Sequence, residues 1–254
     1  MIDEKQEKTW LYGVIPAGVT LKELKRRRDR LPSDVRVEEF RDLAAIVSHA
    51  PGEDAKAIRD QALAHARVLE VAVLDAPVVP FRFGTILPGG AVGSDLLEPW
   101  HDRLAQMLES VKDVVQLTLK ATYREDVVLR EIVDSNPEIA RLRELTRGTD
   151  EVVTRDSRVR LGELISITLE EWRQRDAVAI FDRLNSLAVV SRIEALESEF
   201  MVLNAPFLVE RGRMQDFEDA AGAVADEQVD RMSMKLHGPM PAFDFIDEGQ
   251  MPWG

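Results

Sequence analysis

Residues 115–123 alternate apolar and polar side chains without a break, and this segment constrains the fold most strongly. The apolar set is Val115, Leu117, Leu119, Ala121 and Tyr123, and every residue between them is polar. Successive side chains of a β-strand point to opposite faces, so this strand should bury one face and leave the other in water. The pattern is typical of an antiparallel sheet, because parallel strands are usually covered on both faces.

Weaker patterns on both sides of this strand predict an α+β fold. The segments expected before it are a strand at 10–15, a hairpin of 35–40 and 44–49, a helix at 55–74, a short strand near Pro80 and a helix at about 95–111. The segments expected after it are a helix from about 125, a second behind Asn136, a third over about 150–184, strands at 187–193 and 200–209, a helix around Phe217 and a strand near Met234.

These segments predict two modified ferredoxin-like antiparallel α+β halves, with a long helix or helical hairpin between them. We place the two domains at residues 1–123 and 124–254, and we expect one sheet from residues 9–123 and the other from the region after 185. In the helix at 55–74, the spacing predicts Ile58, Ala62, Ala66, Leu69 and Val73 on the buried face. In the helix at 150–184 it predicts an inward stripe, formed by Val153, Leu161, Leu164, Ile165, Trp172 and Phe181.

Composition excludes several classes of function. The chain has no cysteine, which excludes disulfides, thiolate metal sites and cysteine nucleophiles. Its formal net charge of −13 argues against a nucleic-acid partner, because phosphate backbones attract basic proteins. No apolar run is long enough to span a membrane and the N-terminus is charged, so we expect a cytoplasmic protein.

The motifs that would indicate catalysis or ligand binding are incomplete. Four glycines, Gly84, Gly89, Gly90 and Gly93, lie between a strand and a helix as in a phosphate-binding loop. The Lys-Ser/Thr pair and the GxGxxG spacing are both missing, so we interpret this stretch as a flexible flap. We interpret His65 and His101 as structural residues. The sequence therefore predicts no catalytic residue, no cofactor and no metal, and a protein that is not an enzyme.

The segment PVVPFRFGTIL carries the candidate binding residues. Alternation along it predicts Phe81 and Phe83 in the core and Arg82 on the opposite face. Pro80 has no N–H for a ladder, which favours an edge strand, and an unpaired edge can bind a partner chain. Ile86 and Leu87 follow as apolar residues among the glycines. We call Pro80, Arg82, Phe83, Ile86 and Leu87 the Pro80 edge, and we predict that it binds a partner.

Four segments in the same order resemble the gas vesicle protein F/L family. They are WLYGVIPAG, RDLAAIVS, PVVPFRFGTIL behind a helix with His65, Val68 and Glu70, and the closing GPMPAFDFID. The last segment departs from the family signature at three positions. Met240 stands in place of a tryptophan, Ala242 in place of a second proline and Phe243 in place of a tyrosine.

The resemblance implies an accessory protein of gas vesicle assembly, located in the cytoplasm and at the gas vesicle. It further implies that the chain binds the major gas vesicle shell protein as a chaperone, a minor shell component or both, with other gas vesicle accessory proteins as further partners. The alternative is a small-molecule-binding sensor or enzyme on a ferredoxin-like scaffold, in which Arg82 and the glycine-rich loop hold an anion.

Because no ligand motif is complete, we expect no thermal shift with ATP, GTP, Mg²⁺ or Zn²⁺ at millimolar concentration. Saturable binding at a hundredfold excess over Kd would stabilise the folded chain by about 2.7 kcal/mol, which a melting curve detects. A clear rise in Tm with any of the four would favour the sensor or enzyme alternative.

Overall fold

The computed structural model describes residues 8–27, 29, 31–50, 58–89 and 91–246. Contacts divide the chain into two compact units, Met1–Leu117 with Gly238–Gly254, and Thr118–His237. We call these the first and the second unit. The domains predicted at 1–123 and 124–254 stay a prediction.

The elements up to the middle of the chain are β1 (Lys8–Pro16), α1 (Lys22–Arg26), β2 (Arg36–Phe40), β3 (Leu43–His49), α2 (Ile58–Asp75), β4 (Val79–Pro80), β5 (Ile86–Pro88), a π-helical turn (Gly93–Leu97), α3 (His101–Val111) and β6 (Val114–Tyr123). The elements that follow are α4 (Glu125–Ser135), α5 (Pro137–Thr146), α6 (Arg155–Asn185), β7 (Val190–Ser191), β8 (Met201–Glu210), α7 (Met214–Glu227), β9 (Met232–Met240) and 3₁₀ turns at Arg211–Arg213 and Phe243–Phe245. The antiparallel α+β class predicted from the sequence is confirmed.

The first sheet has the strand order β2–β3–β1–β4, and β5 also pairs with β1. The predicted hairpin is confirmed, since β2 and β3 pair antiparallel with Phe40 opposite Leu43. Helix α2 packs against β1. Its predicted start at residue 55 lies outside the described residues.

The buried face of α2 differs from the prediction. Ile58 and Ala66 are exposed, whereas His65, Val68 and Leu69 are buried. The prediction rested on apolar residues only, whereas the buried face of α2 includes His65. The prediction for Ile58 and Ala66 was therefore wrong, and the prediction for Leu69 and Val73 is confirmed. Ala62 is half-buried.

The second sheet has the order β7–β8–β6–β9, so β6 does not close the first sheet as predicted. The reason lies in long-range pairing at the end of β6. The Tyr123 N–H donates to the Phe200 carbonyl at 2.9 Å, and the Arg124 N–H donates to the Arg231 carbonyl at 2.9 Å. The end of β6 therefore lies beside the beginnings of both β8 and β9, which makes the strands antiparallel.

The predicted register of β6 is confirmed, because Leu119 is buried and Lys120 is only half-buried. The polar face of β6 is more buried than predicted. Gln116 and Thr118 on that face are buried as well. Gln116 is satisfied there by Asp244, since its Nε2 donates to an Asp244 oxygen at 2.5 Å and its Oε1 accepts from the Asp244 N–H at 3.0 Å.

Helix α5 of the second unit begins behind Asn136, as the sequence predicts. The side chain of Asn136 accepts from the Glu138 N–H at 2.9 Å and so caps α5. Gly148, with a φ of +69°, follows the end of α5. Helix α6 then runs unbroken for 31 residues, as the sequence predicts, which is about 46 Å.

The predicted inward stripe of α6 is confirmed only in part, because Leu161, Leu164, Ile165, Trp172 and Phe181 are half-buried. Val153 lies before the helix and is exposed, and the fully buried residues of α6 are Leu169, Ile180 and Leu184. Helix α6 contacts α4 and α5 and also β8 and α7. Because different partners cover different faces along its length, no one stripe describes its burial.

Gly238 fixes the closing segment of the first unit on the start of β6. Its φ is +129°, and a Cβ at this position would lie 2.7 Å from the Gln116 carbonyl oxygen and 2.8 Å from the Leu117 Cδ2. Both the backbone conformation and the close approach require glycine. The backbone therefore requires a glycine at position 238, the first residue of the GPMPAFDFID segment.

We predict that Gly238→Ala lowers the free energy of unfolding by about 2 to 3 kcal/mol, through backbone strain and the contact with Gln116. Gly162 is the matched control, because it lies inside α6 with open space around its Cβ position. Gly162→Ala should raise the free energy of unfolding by about 1 kcal/mol. Urea denaturation measures the free energy of unfolding of both variants. A Gly238→Ala variant as stable as the parent would contradict the backbone conformation described for Gly238.

Candidate functional site

The Pro80 edge lies on one interrupted edge strand of the first sheet. Strands β4 and β5 both pair antiparallel with β1, with Pro80 opposite Gly13 and Ile86 opposite Trp10. Between them the Phe81 N–H donates to the Tyr12 carbonyl at 2.8 Å, and the Leu11 N–H donates to the Thr85 carbonyl at 3.0 Å. Pro80 therefore lies in an edge strand, as the sequence predicts.

A tight turn interrupts this strand. The Thr85 N–H and hydroxyl both donate to the Arg82 carbonyl, at 3.1 and 2.7 Å. Gly84 at the turn has a φ of +89°, a conformation that other residues rarely adopt. The turn adds residues that β1 does not match, so the alternation predicted along the segment fails beyond Phe81.

The turn explains which residues along this segment are buried and which are exposed. Phe81 and Pro80 are buried, but Phe83 is 41% exposed, so the prediction that Phe83 lies in the core was wrong. Ile86 is 38% exposed and Leu87 is half-buried. The predicted flexible flap is also corrected, because Ile86–Pro88 forms strand β5. Gly90 of that flap lies outside the described residues.

Four rings pack against one another at the Pro80 edge. We call Trp10, Tyr12, His65 and Phe83 the His65 cluster. Tyr12 stacks on His65 with a centroid distance of 5.2 Å. The Phe83 ring makes edge contacts, 5.3 Å from Trp10 and 5.9 Å from His65 between centroids. Edge-to-face pairs at these distances are favourable, so Phe83 has a fixed position although much of it is exposed.

His65 is a neutral imidazole with one hydrogen bond at each nitrogen. Trp10 Nε1–H donates to His65 Nδ1 at 3.0 Å, so Nε2 carries the proton and donates to the Phe81 carbonyl at 3.0 Å. Burial lowers the pKa of His65, against the opposing effect of its hydrogen bond to Phe81. The structural role predicted for His65 is confirmed, but its place on the buried face was missed.

A cavity of about 290 Å³ adjoins the His65 cluster, lined by Trp10, Tyr12, Pro32, Asp34, Ser48, His49, Ala50, Gln61 and Ala64. Several of its polar groups bond to one another. The His49 N–H donates to Asp34 Oδ2 at 2.8 Å, and the Tyr12 and Ser48 hydroxyls are 3.1 Å apart. The volume lies just below the range of about 300 to 1,000 Å³ that is usual for small-molecule sites.

His101 is the second predicted structural histidine. Its two ring nitrogens face Asp102 Oδ1 at 3.0 Å and Asp42 Oδ1 at 2.5 Å. Its hydrogen bonds to Asp102 and Asp42 raise its pKa. The Asp42 contact links the start of α3 to the turn between β2 and β3.

Over residues 8–246, apart from the gaps given above, no group of three or more His, Asp or Glu side chains could hold a metal ion. None of the helices described is both long enough and apolar enough to cross a membrane.

The fold and the edge define an α+β protein with two antiparallel sheets, of which the first ends in an apolar, interrupted edge strand. The sequence profile of the family "Gas vesicle synthesis protein GvpL/GvpF" matches residues 8–247. Gas vesicle protein F of Streptomyces sp. (strain CB03234) is 30% identical over 240 residues, which are 94% of this chain and 99% of that protein. Its counterpart in Microcystis aeruginosa (strain PCC 7806) is 24% identical over 249 residues, 93% of this chain and 96% of that protein.

Two crystal structures share the fold. GvpF from Anabaena sp. PCC7120 has a TM-score of 0.69 at 20% identity, covering 95% of this chain and 96% of that one. GvpF from Microcystis aeruginosa has a TM-score of 0.67 at 21% identity, covering 94% and 98%. The chain belongs to the gas vesicle protein GvpL/GvpF family. Membership supports a role for this chain in gas vesicle formation.

We predict a pH dependence of stability that comes from His65. An unfolded histidine titrates near pH 6.5, and the folded pKa is lower. The unfolded state thus binds more protons below about pH 6.5, so stability is full above that pH and falls as the pH drops toward the folded pKa.

His65→Gln is the comparison, because an amide can accept from Trp10 and donate to Phe81 without titrating. Urea denaturation at pH 7.5 and 5.5 should show a larger loss for the parent chain than for the variant. His101 and every carboxylate are common to both proteins and cancel. Equal losses in the two proteins would show that His65 is not held neutral.

Proposed function

We propose that this chain is an accessory protein of gas vesicle assembly that binds the major gas vesicle shell protein through the Pro80 edge, as a chaperone, a minor shell component or both. The observation that carries the proposal is the exposed pair Phe83 and Ile86, at 41% and 38%. Phe83 lies in the turn that interrupts the outer strand of the first sheet, and Ile86 lies in β5. Other gas vesicle accessory proteins are further partners in this proposal, and the cytoplasm and the gas vesicle are its locations.

The chemistry of the expected partner suits this surface. A protein that coats a gas space needs a strongly apolar face, and in water that face aggregates unless another protein covers it. Exposed aromatic and aliphatic side chains on a rigid strand are suitable anchors for such a face. The aromatic contacts of Phe83 with Trp10 and His65 hold its ring before binding, which reduces the entropy lost on association.

The backbone of this edge favours contact through side chains over addition of a strand. Pro80 offers no N–H, and the Thr85 N–H is already bonded to Arg82. A partner strand would meet an interrupted ladder at both places. We therefore expect an apolar face of the shell protein to lie across Phe83, Ile86 and Leu87, with Arg82 at the rim.

The alternative of an anion-binding sensor or enzyme has less support. It requires the glycine-rich stretch to offer backbone donors to a ligand. Residues Ile86–Pro88 pair with β1 instead, and the Thr85 N–H bonds within the turn. We therefore propose that Arg82 belongs to a protein-binding surface and not to an anion site.

Ile86→Ser tests the proposal, with Val37→Ser as its matched control. Ile86 and Val37 have nearly equal exposures, 38% and 39%, and Val37 lies in β2, at the opposite edge of the same sheet. In co-expression with the major shell protein, Ile86→Ser should reduce the amount captured about tenfold, since a buried aliphatic side chain contributes about 1.5 to 3 kcal/mol. Val37→Ser should leave capture unchanged.

Thermal melts of both variants accompany the capture measurement. Both side chains are well exposed, so both variants should melt like the parent chain. An Ile86→Ser, Leu87→Ser double variant that melts normally and still keeps the shell protein soluble would remove the Pro80 edge as the binding surface.

A further inference from the structure

The outer edge of the second sheet is apolar and open. Strand β7 is the outermost in the order β7–β8–β6–β9. The chain stays beside β8 beyond β7, because the Arg192 N–H donates to the Pro206 carbonyl at 3.1 Å and the Glu194 N–H donates to the Asn204 carbonyl at 2.8 Å. We call residues 189–196 the Ile193 edge.

Four apolar side chains of the Ile193 edge are exposed to solvent. The exposed fractions are 55% for Val189, 45% for Val190, 60% for Ile193 and 36% for Leu196. Natural sheet edges are usually protected by prolines, bulges or lysines that discourage pairing with another chain. The sequence of this edge, VVSRIEAL, contains no proline or lysine.

The backbone of Ile193 is oriented for a further strand. Residues of an antiparallel strand point their N–H and C=O groups alternately to one side and the other. The backbone N–H groups of Arg192 and Glu194 point toward β8. The backbone N–H and carbonyl of Ile193, between them, therefore point away from β8. In the described part of the chain, the Ile193 N–H and carbonyl have no hydrogen-bond partner.

We propose that a second copy of this chain pairs with the Ile193 edge, antiparallel, with the two Ile193 residues opposite each other on a two-fold axis. The backbone groups of Ile193 then exchange two hydrogen bonds with the partner's Ile193. In this register Arg192 lies opposite the partner's Glu194, and the symmetry repeats the pair. Val190 lies opposite the partner's Leu196.

Charge complementarity favours a second copy of this chain as the partner, and it also favours the register centred on Ile193. Opposite charges facing each other across two strands are favourable, and like charges are unfavourable. A two-fold axis through Arg192 would set two arginines opposite each other, and an axis through Glu194 would set two glutamates opposite each other. Only the axis at Ile193 pairs each charge with its opposite, so the edge is complementary to itself.

The size of the contact indicates a reversible dimer. Stable interfaces commonly involve about 20 to 30 residues from each partner, and the Ile193 edge is much shorter. The dimer should therefore depend on protein concentration. It rests on the second unit alone and does not depend on the proposed function of the Pro80 edge.

Sedimentation velocity of the full chain over a concentration series is the test. Arg192→Glu places two acidic side chains opposite each other in each half of the pair, and Glu194→Arg does the same with basic side chains. Each variant alone should raise the dimer Kd about tenfold or more. An equimolar mixture of the two should dimerise again, because every charged pair between them is then complementary. The double variant should also dimerise.

Two further variants separate pairing from folding. Ile193→Pro removes the outward N–H and spares the hydrogen bonds of Arg192 and Glu194 to β8, so the chain should fold and stay monomeric. Val229→Ser changes another exposed apolar residue of the second unit, at 54%, and should dimerise like the parent. Circular dichroism checks the fold of each variant.

Three outcomes would overturn the proposal. They are a parent chain that is monomeric at every concentration, a dimer that the single charge reversals do not weaken, and a mixture of the single variants that fails to dimerise. The first of these would also be found if the edge accepts only a strand from a different protein.

Discussion

The neutral imidazole of His65 determines where the edge of the first sheet lies. One nitrogen accepts from Trp10 on β1 and the other donates to the carbonyl of Phe81, so a single ring on α2 joins helix, sheet and edge strand. Because the ring is buried, both hydrogen bonds form where an unpaired polar atom would be costly. The core therefore fixes the backbone at Phe81, and the turn that follows brings Phe83 to the surface against the same cluster.

The two sheets end in edges of different kinds. The Pro80 edge lacks a donor at the proline and bends at Gly84, which protects it from strand addition while its apolar side chains stay exposed. The Ile193 edge keeps a continuous backbone beside β8 and an outward-facing residue at Ile193. Side-chain contact would suit the first edge and strand pairing would suit the second, so the binding modes that we propose for the two edges differ.

Local signals in the sequence predicted the local structure well. The start of α5 behind Asn136, the helix around Phe217 and the edge position of Pro80 each follow from a few neighbouring residues. The sheet that β6 joins depends on partners about 80 residues and more away, which no local pattern encodes. His65 was misplaced for another reason: a histidine counts as polar until its two partners, Trp10 and Phe81, are known.

A dimer paired at the Ile193 edge would carry two copies of the Pro80 edge. Two linked sites bind a repeating surface more tightly than one, because the second contact is made at a high effective concentration. A shell built from many copies of one protein is such a surface, whereas a single shell subunit before assembly is not. A reversible dimer would therefore let the same weak apolar site release single subunits readily and remain on the assembled shell, which requires no change in the site itself.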